Sequence, residues 1–188
     1  MFDALIVVDV QNEFSPSGQR PVANHEAALA AIRAHVERAR SQRLPIAWVR
    51  HYNKPHESQA FVPGSWGAEL SPGLAPQANS GPERLFEKDV FGAFTTTDLE
   101  SWLRGLDVNS VLVAGFYAHM CLSTTVREAL VRGFDVHIDP EATGARGLED
   151  SVLGRQSADE VLRSALLHVQ NMGAVITSSR PARATVAF

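Results

Sequence analysis

Ala4-Leu5-Ile6-Val7-Val8-Asp9 is an unbroken apolar run that stops on a carboxylate. A run without polar alternation predicts a strand buried on both faces, the kind found inside parallel sheets covered by helices. Ser110-Val111-Leu112-Val113-Ala114 repeats the pattern and closes on Gly115. Working outward, Asn24 predicts a helix cap, with the helix running to about Ser41 and Ala28, Ile32, His35 and Ala39 near helical spacing. Pro45 opens a short strand from Ile46 to Val49, and Leu85 to Lys88 reads as another. Thr97 or a neighbouring threonine caps a helix from Asp98 to Leu106, and a helix from about Leu122 to Arg132 ends at Gly133. Phe134 to Ile138 is the next strand, running into Asp139, and ATGARGLED (142–150) reads as a loop. A helix from about Ser157 to Asn171 presents Val161, Ala165, Leu166 and Val169 on one face, before a last strand at Ala174 to Thr177. This alternation predicts an α/β fold, a doubly wound three-layer α/β/α arrangement around a mostly parallel sheet.

The 188 residues suffice for one substantial core. We expect a single domain over 1–180, with 181–188 as a loose C-terminal tail. With 45% hydrophobic and 20% charged residues the composition is globular, and a net charge of -4 with scattered arginines argues against a nucleic-acid surface. The single cysteine forbids an internal disulfide and suits a reducing compartment. No apolar run approaches the length that crosses a bilayer, and the first residues lack the basic start of a signal peptide. The expectation is a cytoplasmic protein with no membrane partner. Residues 50–82, rich in Pro, Gly, Ser and Asn, form a long irregular stretch expected to wall or cover a pocket.

In doubly wound sheets ligands bind beyond the carboxyl ends of the strands. That rule selects Asp9, Gln11, Lys88, the segment Phe116 to Cys121, and Asp139. Cys121 begins a helix pattern, where a helix N-terminus and a nearby cation would depress the thiol pKa; a lone cysteine is more often a buried small hydrophobe. Asp9 could relay a thiol proton or simply accept loop N–H groups, and Lys88 buried beside both would hold their charged forms. His119 fits a pocket wall better than a metal ligand or base. Phe14, Trp66, Phe91, Phe94 and Tyr117 fit either a pocket for a small flat substrate or plain core packing. No Gly-x-Gly-x-x-Gly fingerprint or phosphate loop is present, so no cofactor is expected.

Three blocks, LIVVDVQNEF (5–14), FEKDVFGAF (86–94) and VLVAGFYAHMCLSTTVREALVRGFDVHI (111–138), resemble the isochorismatase-like cysteine hydrolase superfamily, which includes nicotinamidases and N-carbamoylsarcosine amidohydrolases. The resemblance covers nearly the whole chain. It implies a six-stranded parallel sheet and an Asp9, Lys88, Cys121 triad: the cysteine attacks a small amide or ureido carbonyl, the aspartate shuttles the proton and the lysine supports it. It also implies an oxyanion hole from the backbone N–H groups of Tyr117 and Cys121, a cis peptide between Phe116 and Tyr117, and a homodimer or larger homo-oligomer. Family nicotinamidases hold a divalent metal through an Asp-x-His pair; here VRHYNKPHES (49–58) puts Arg50 and Tyr52 in that region, so no metal is expected. GFYAHMC also resembles the GVYAHIG segment of isochorismatases, which cleave a vinyl ether with the aspartate as acid and no thiol. Cys121 tilts the expectation toward C–N hydrolysis; vinyl ether cleavage and non-catalytic binding of a small molecule are the alternatives.

Overall fold

In the computed structural model, which describes residues 2–54 and 56–178, the chain forms a six-stranded parallel sheet with helices on both faces. Its elements in chain order are β1 (Ala4–Val8), α1 (His25–Ser41), β2 (Ile46–His51), β3 (Glu83–Lys88), α2 (Leu99–Arg104), β4 (Ser110–Gly115), α3 (Ser123–Val131), β5 (Asp135–Thr143), β6 (Leu148–Asp150), β7 (Gly154–Gln156), α4 (Ala158–Asn171) and β8 (Val175–Ile176). The sheet order is β3-β2-β1-β4-β5-β8, and every pairing in it is parallel. The order reverses between β1 and β4, so the crevice expected to receive ligands opens where those two strands end.

The apolar run of β1 explains its central place. Leu5 and Val7 join a layer with Ala28, Ile32 and Val36 of α1, while Ala4, Ile6 and Val8 join the opposite layer with Leu103 of α2, Val126 of α3 and Val169 of α4. Burying each of the larger aliphatic side chains contributes about 1.5–3 kcal/mol, which no exposed alternative placement of this strand would match. Gly115 fixes how closely β4 approaches: it has φ +124, and a Cβ there would stand 2.0 Å from the Val8 carbonyl oxygen.

Several local expectations change. Asn24 does not cap α1 with its side chain; its amide donates to the Thr143 carbonyl instead (3.1 Å) and ties the helix start to the end of β5. His35 is not part of the apolar face of α1, since its Nε2 meets Asp139 Oδ2 at 2.8 Å. That contact, and the continuation of β5 through Asp139 to Thr143, takes Asp139 out of the strand-end set. The stretch 142–150, expected to be all loop, includes β6, which pairs antiparallel with β7 in an exposed hairpin. Its shortness and full exposure leave no hydrophobic alternation to read. Ser157, where the helix was expected to begin, caps α4 in a reciprocal capping box with Glu160. No helix among the described residues is long and apolar enough to cross a membrane. The tail expected at 181–188 lies outside the described residues.

Candidate active site

Asp9 follows the last residue of β1 and adopts φ 51, a left-handed conformation that is uncommon outside glycine, though aspartate tolerates it better than most. Its backbone is pinned by a bond from its N–H to the Val49 carbonyl (2.9 Å), and its side chain is fully buried. Lys88 ends β3, two strands away, and reaches over the end of β2 to place Nζ 2.7 Å from Asp9 Oδ2. The same ammonium donates to the Val90 carbonyl (3.2 Å) and lies 3.4 Å from His51 Nδ1. Asp9 Oδ1 is buried without a hydrogen-bond partner among the described residues, a free acceptor in the middle of the site.

Cys121 comes from the other side of the crevice. After β4 the chain passes through a cis Phe116–Tyr117 peptide and a π-helical turn, Ala118–Leu122, that leads into α3. The turn is held by bonds from Phe116 N–H to Val8 O, Ala118 N–H to Gly144 O, and Leu122 N–H to Tyr117 O. The amides of Tyr117 and Cys121 are not among the donors of these bonds. Cys121 itself is 7% exposed.

The electrostatics differ from the sequence-based expectation of a depressed thiol. Burial first, and then the Asp9 carboxylate, push the Cys121 thiol well above its ordinary value, and the Lys88 ammonium only partly offsets them. For Lys88 burial favours the neutral amine, but the charge of Asp9 and the hydrogen bond to it outweigh burial and hold the ammonium above its ordinary value. The resting arrangement is therefore a protonated thiol beside an ion pair. His51 is held neutral by burial and by the neighbouring Lys88 charge. Its Nε2 lies 2.9 Å from Asn53 Oδ1, which fits an Nε2–H donor and leaves Nδ1 to accept from Lys88.

Asp9 and Cys121 open into a cavity of about 250 Å³. Phe14, Phe91 and Tyr117, all singled out in the sequence, line it. Gln11, Trp66, Phe94 and His119 do not. Gln11 is fully buried and works as a clamp: Nε2 donates to the carbonyls of His51 (2.9 Å) and Ala68 (2.8 Å), and Oε1 accepts from the His51 N–H (2.9 Å). Trp66 is 57% exposed on a short helical turn. Phe94 packs in the core against Phe134, with ring centroids 5.9 Å apart. His119 stacks on Tyr117 (5.0 Å) and faces a separate cavity beside α4 with His168.

The cavity also contains His51, Asn53 and Phe61, from the 50–82 stretch expected to wall it, Met120, from the Phe116–Cys121 segment, and two residues that no sequence feature marked, Arg20 and Arg146. His51 was recoverable, because β2 continues two residues past Val49 and sets His51 in register with Lys88. The others sit on loops or in the π-turn, where no periodicity marks them. The Tyr117 hydroxyl donates to the Arg20 carbonyl (2.6 Å), and burial pushes its phenol up to about 12 against the pull of Arg146 and Arg20.

A metal at the region used by family nicotinamidases does not fit these residues. Arg50 and Tyr52 do not line the cavity, the guanidinium bonding Glu87, approaching Glu69 (3.6 Å) and lying 5.0 Å over the Tyr52 ring; the residues of that stretch that do line it, His51 and Asn53, bond one another, and among the described residues no group of three or more His, Cys, Asp or Glu side chains could hold a metal ion.

The sequence from residue 3 to 179 matches the family description Isochorismatase domain. Nicotinamidase 3 of Arabidopsis thaliana is 29% identical over 151 residues, covering 74% of this chain and 72% of that protein. The ureidoacrylate amidohydrolase RutB of Methylobacterium radiotolerans is 26% identical, covering 77% and 68%. Among solved structures, a cysteine hydrolase from Pseudomonas syringae pv. phaseolicola superposes with a TM-score of 0.85 at 26% identity, covering 93% of this chain and 87% of that one.

Proposed function

Because the chain belongs to the isochorismatase family of hydrolases, we propose that it hydrolyses a C–N bond of a small carboxamide or ureido compound, with Cys121 as nucleophile. The observation that carries this reading is the buried Asp9–Lys88 ion pair, with a free carboxylate oxygen, beside a protonated cysteine at the floor of a small cavity. Two of the relatives are named for amide and ureido substrates and the compared structure is a cysteine hydrolase, which supports the same chemistry.

In this mechanism the thiol proton passes to Asp9 as the sulfur attacks the carbonyl carbon. Lys88 stabilises the negative charge as it moves from Asp9 to the sulfur. The backbone N–H groups of Tyr117 and Cys121 receive the oxyanion of the tetrahedral intermediate, the kind of fixed donor pair that acts where charge develops. Asp9 then returns the proton to the departing nitrogen, and ammonia or an amine leaves behind a thioester. Water, deprotonated by Asp9, attacks the thioester carbon; the acid departs and the thiol recovers its proton. A raised resting thiol suits this cycle, since the nucleophile forms only as the proton is accepted.

The test is ammonia release, in buffer free of added metal, across a panel of small carboxamides and ureido acids, with Cys121→Ala alongside. Release by the wild type that vanishes in a folded Cys121→Ala protein is expected. Undiminished release in the variant overturns the cysteine mechanism, and pyruvate formed from isochorismate by that variant would assign the chemistry to Asp9 acting as an acid.

A further inference from the structure

Two arginines line the cavity that holds Asp9 and Cys121, and the mechanism uses neither. Arg20 lies on the loop after β1 and Arg146 on the loop between β5 and β6, positions 126 residues apart in sequence (146 minus 20). Tyr117 links their surroundings: its hydroxyl holds the Arg20 backbone carbonyl at 2.6 Å, and its phenol feels the charge of both arginines. Among the described residues neither guanidinium has a salt-bridge partner, as is also true of Arg33, Arg38, Arg43, Arg104, Arg127 and Arg163, so it is their place at the cavity that sets these two apart.

The charges that line the cavity do not cancel. Asp9 is already matched by Lys88 at 2.7 Å and His51 is neutral, so the two arginines leave a local positive excess on a chain whose net charge is -4. The buried Glu13 carboxylate does not line the cavity but also acts on the Tyr117 phenol and balances one of these charges, so the excess is a single positive charge. Exposure sets a direction: the triad residues are at most 7% exposed, Arg20 is half-buried and Arg146 is exposed. Phe14, Phe61, Phe91 and Tyr117 line the same cavity. A volume of about 250 Å³ falls just under the roughly 300–1,000 Å³ of pockets for drug-sized ligands, so the occupant is small.

We propose that Arg20 and Arg146 form an anion-recognising pair at the outer end of the cavity, and that the substrate is a small amide or ureide carrying a carboxylate at the end remote from the scissile bond. A guanidinium presents paired donors that match a carboxylate, and charge-assisted bonds of this kind are the stronger ones. The reacting group enters first toward Cys121, the flat or apolar middle lies among the rings, and the carboxylate stays at the wetter rim where its desolvation cost is smallest. This proposal rests on the hydrolase reading for the identity of the scissile group, while the anion site itself does not.

The experiment uses binding, so that it does not depend on turnover. Calorimetric titration of the Cys121→Ala protein compares matched pairs, benzamide with 4-carbamoylbenzoate and propionamide with succinamate. At about 1.5–3 kcal/mol for a hydrogen bond to a charged group, the carboxylated member of at least one pair should bind about ten- to a hundred-fold more tightly. Adding Arg20→Gln and Arg146→Gln should bring the two members within about twofold of one another, and raised salt should shrink the preference. If no carboxylated probe binds more tightly than its neutral partner, or if the preference survives both arginine substitutions, the anion site is wrong. The two readings fail separately. Wild-type ammonia release from neutral amides without an anion preference removes the arginine pair and keeps the hydrolase, whereas an arginine-dependent anion preference without any C–N cleavage does the reverse.

Discussion

Replacing Asp9 with Asn separates the two charges that act on the Cys121 thiol. In the wild-type site burial and the Asp9 carboxylate push the thiol up, and Lys88 pulls it down. Asparagine keeps the size of the side chain and removes its charge, leaving Lys88 unopposed. A unit charge about 4 Å away at an effective dielectric of about 20 is worth about 4 kcal/mol. At about 1.4 kcal/mol per decade this is roughly three decades of thiolate population. A less basic thiolate is also less nucleophilic, with a sensitivity of about 0.4–0.5, which takes back about half of that logarithm. The net expectation is alkylation by iodoacetamide about 30-fold faster in Asp9→Asn than in wild type near neutrality, in a protein that no longer turns over. The chain has one cysteine, so whole-protein mass spectrometry follows the reaction directly. Lys88→Met removes the opposing charge and should slow labelling below the wild-type rate. An Asp9→Asn protein with a wild-type circular dichroism spectrum that labels no faster than wild type would refute the charge balance on which the mechanism depends.

Other consequences follow from the same geometry. Lys88→Met leaves the fully buried Asp9 carboxylate unpaired, at a cost of about 3–5 kcal/mol. At about 2–4 °C per kcal/mol for a chain of this size, the midpoint in a thermal scan should fall by about 6–20 °C, and the double variant Asp9→Asn/Lys88→Met should recover part of it. A single variant as stable as wild type would show that the pair is not behaving as a desolvated one. Cys121 and Lys88 both hold their protons more tightly in the folded chain than their ordinary values of 9.0 and 10.5 imply. Unfolding therefore releases protons at high pH: their contribution is intact at neutrality and stability declines as pH rises past 9. Denaturant midpoints measured on the alkaline side should show that decline, beginning nearer 10.5 in Cys121→Ala, and a flat profile would contradict both shifts. Gly115→Ala puts a Cβ against the Val8 carbonyl at a backbone angle that side chains rarely adopt, and should cost about 3 kcal/mol or more by urea titration.

The sheet was legible because its central strands are apolar on both faces, a pattern that needs no knowledge of partners. Ala4–Val8 and Ser110–Gly115, expected to be buried on both faces, are the two central strands, and the strand-end rule selected Asp9, Lys88 and Cys121 before any contact was known. The cavity wall was less legible. Trp66 and Phe94 drew attention as aromatic residues, yet one faces solvent and the other fills the core, because composition does not say which way a loop turns. Arg20 and Arg146 escaped for the opposite reason: an arginine on an irregular loop looks like solvated surface until the fold brings it to a cavity. Helix position pointed to a depressed thiol and the lone-cysteine pattern to a buried one, and the fold decides for the second. At 7% exposure the missing water outweighs the neighbouring ammonium.

The Gln11 clamp bears on how such a protein acquires new substrates. One amide, two residues after Asp9, moors both ends of the segment from His51 to Ala68, and Asn53 and Phe61 hang from the span between them. Residues inside that span can be exchanged or lengthened while the moorings, and the strand that carries Asp9, keep their places. Selection can therefore rewrite what the cavity accepts on one stretch of chain and inherit the buried Asp9–Lys88 pair unchanged from another.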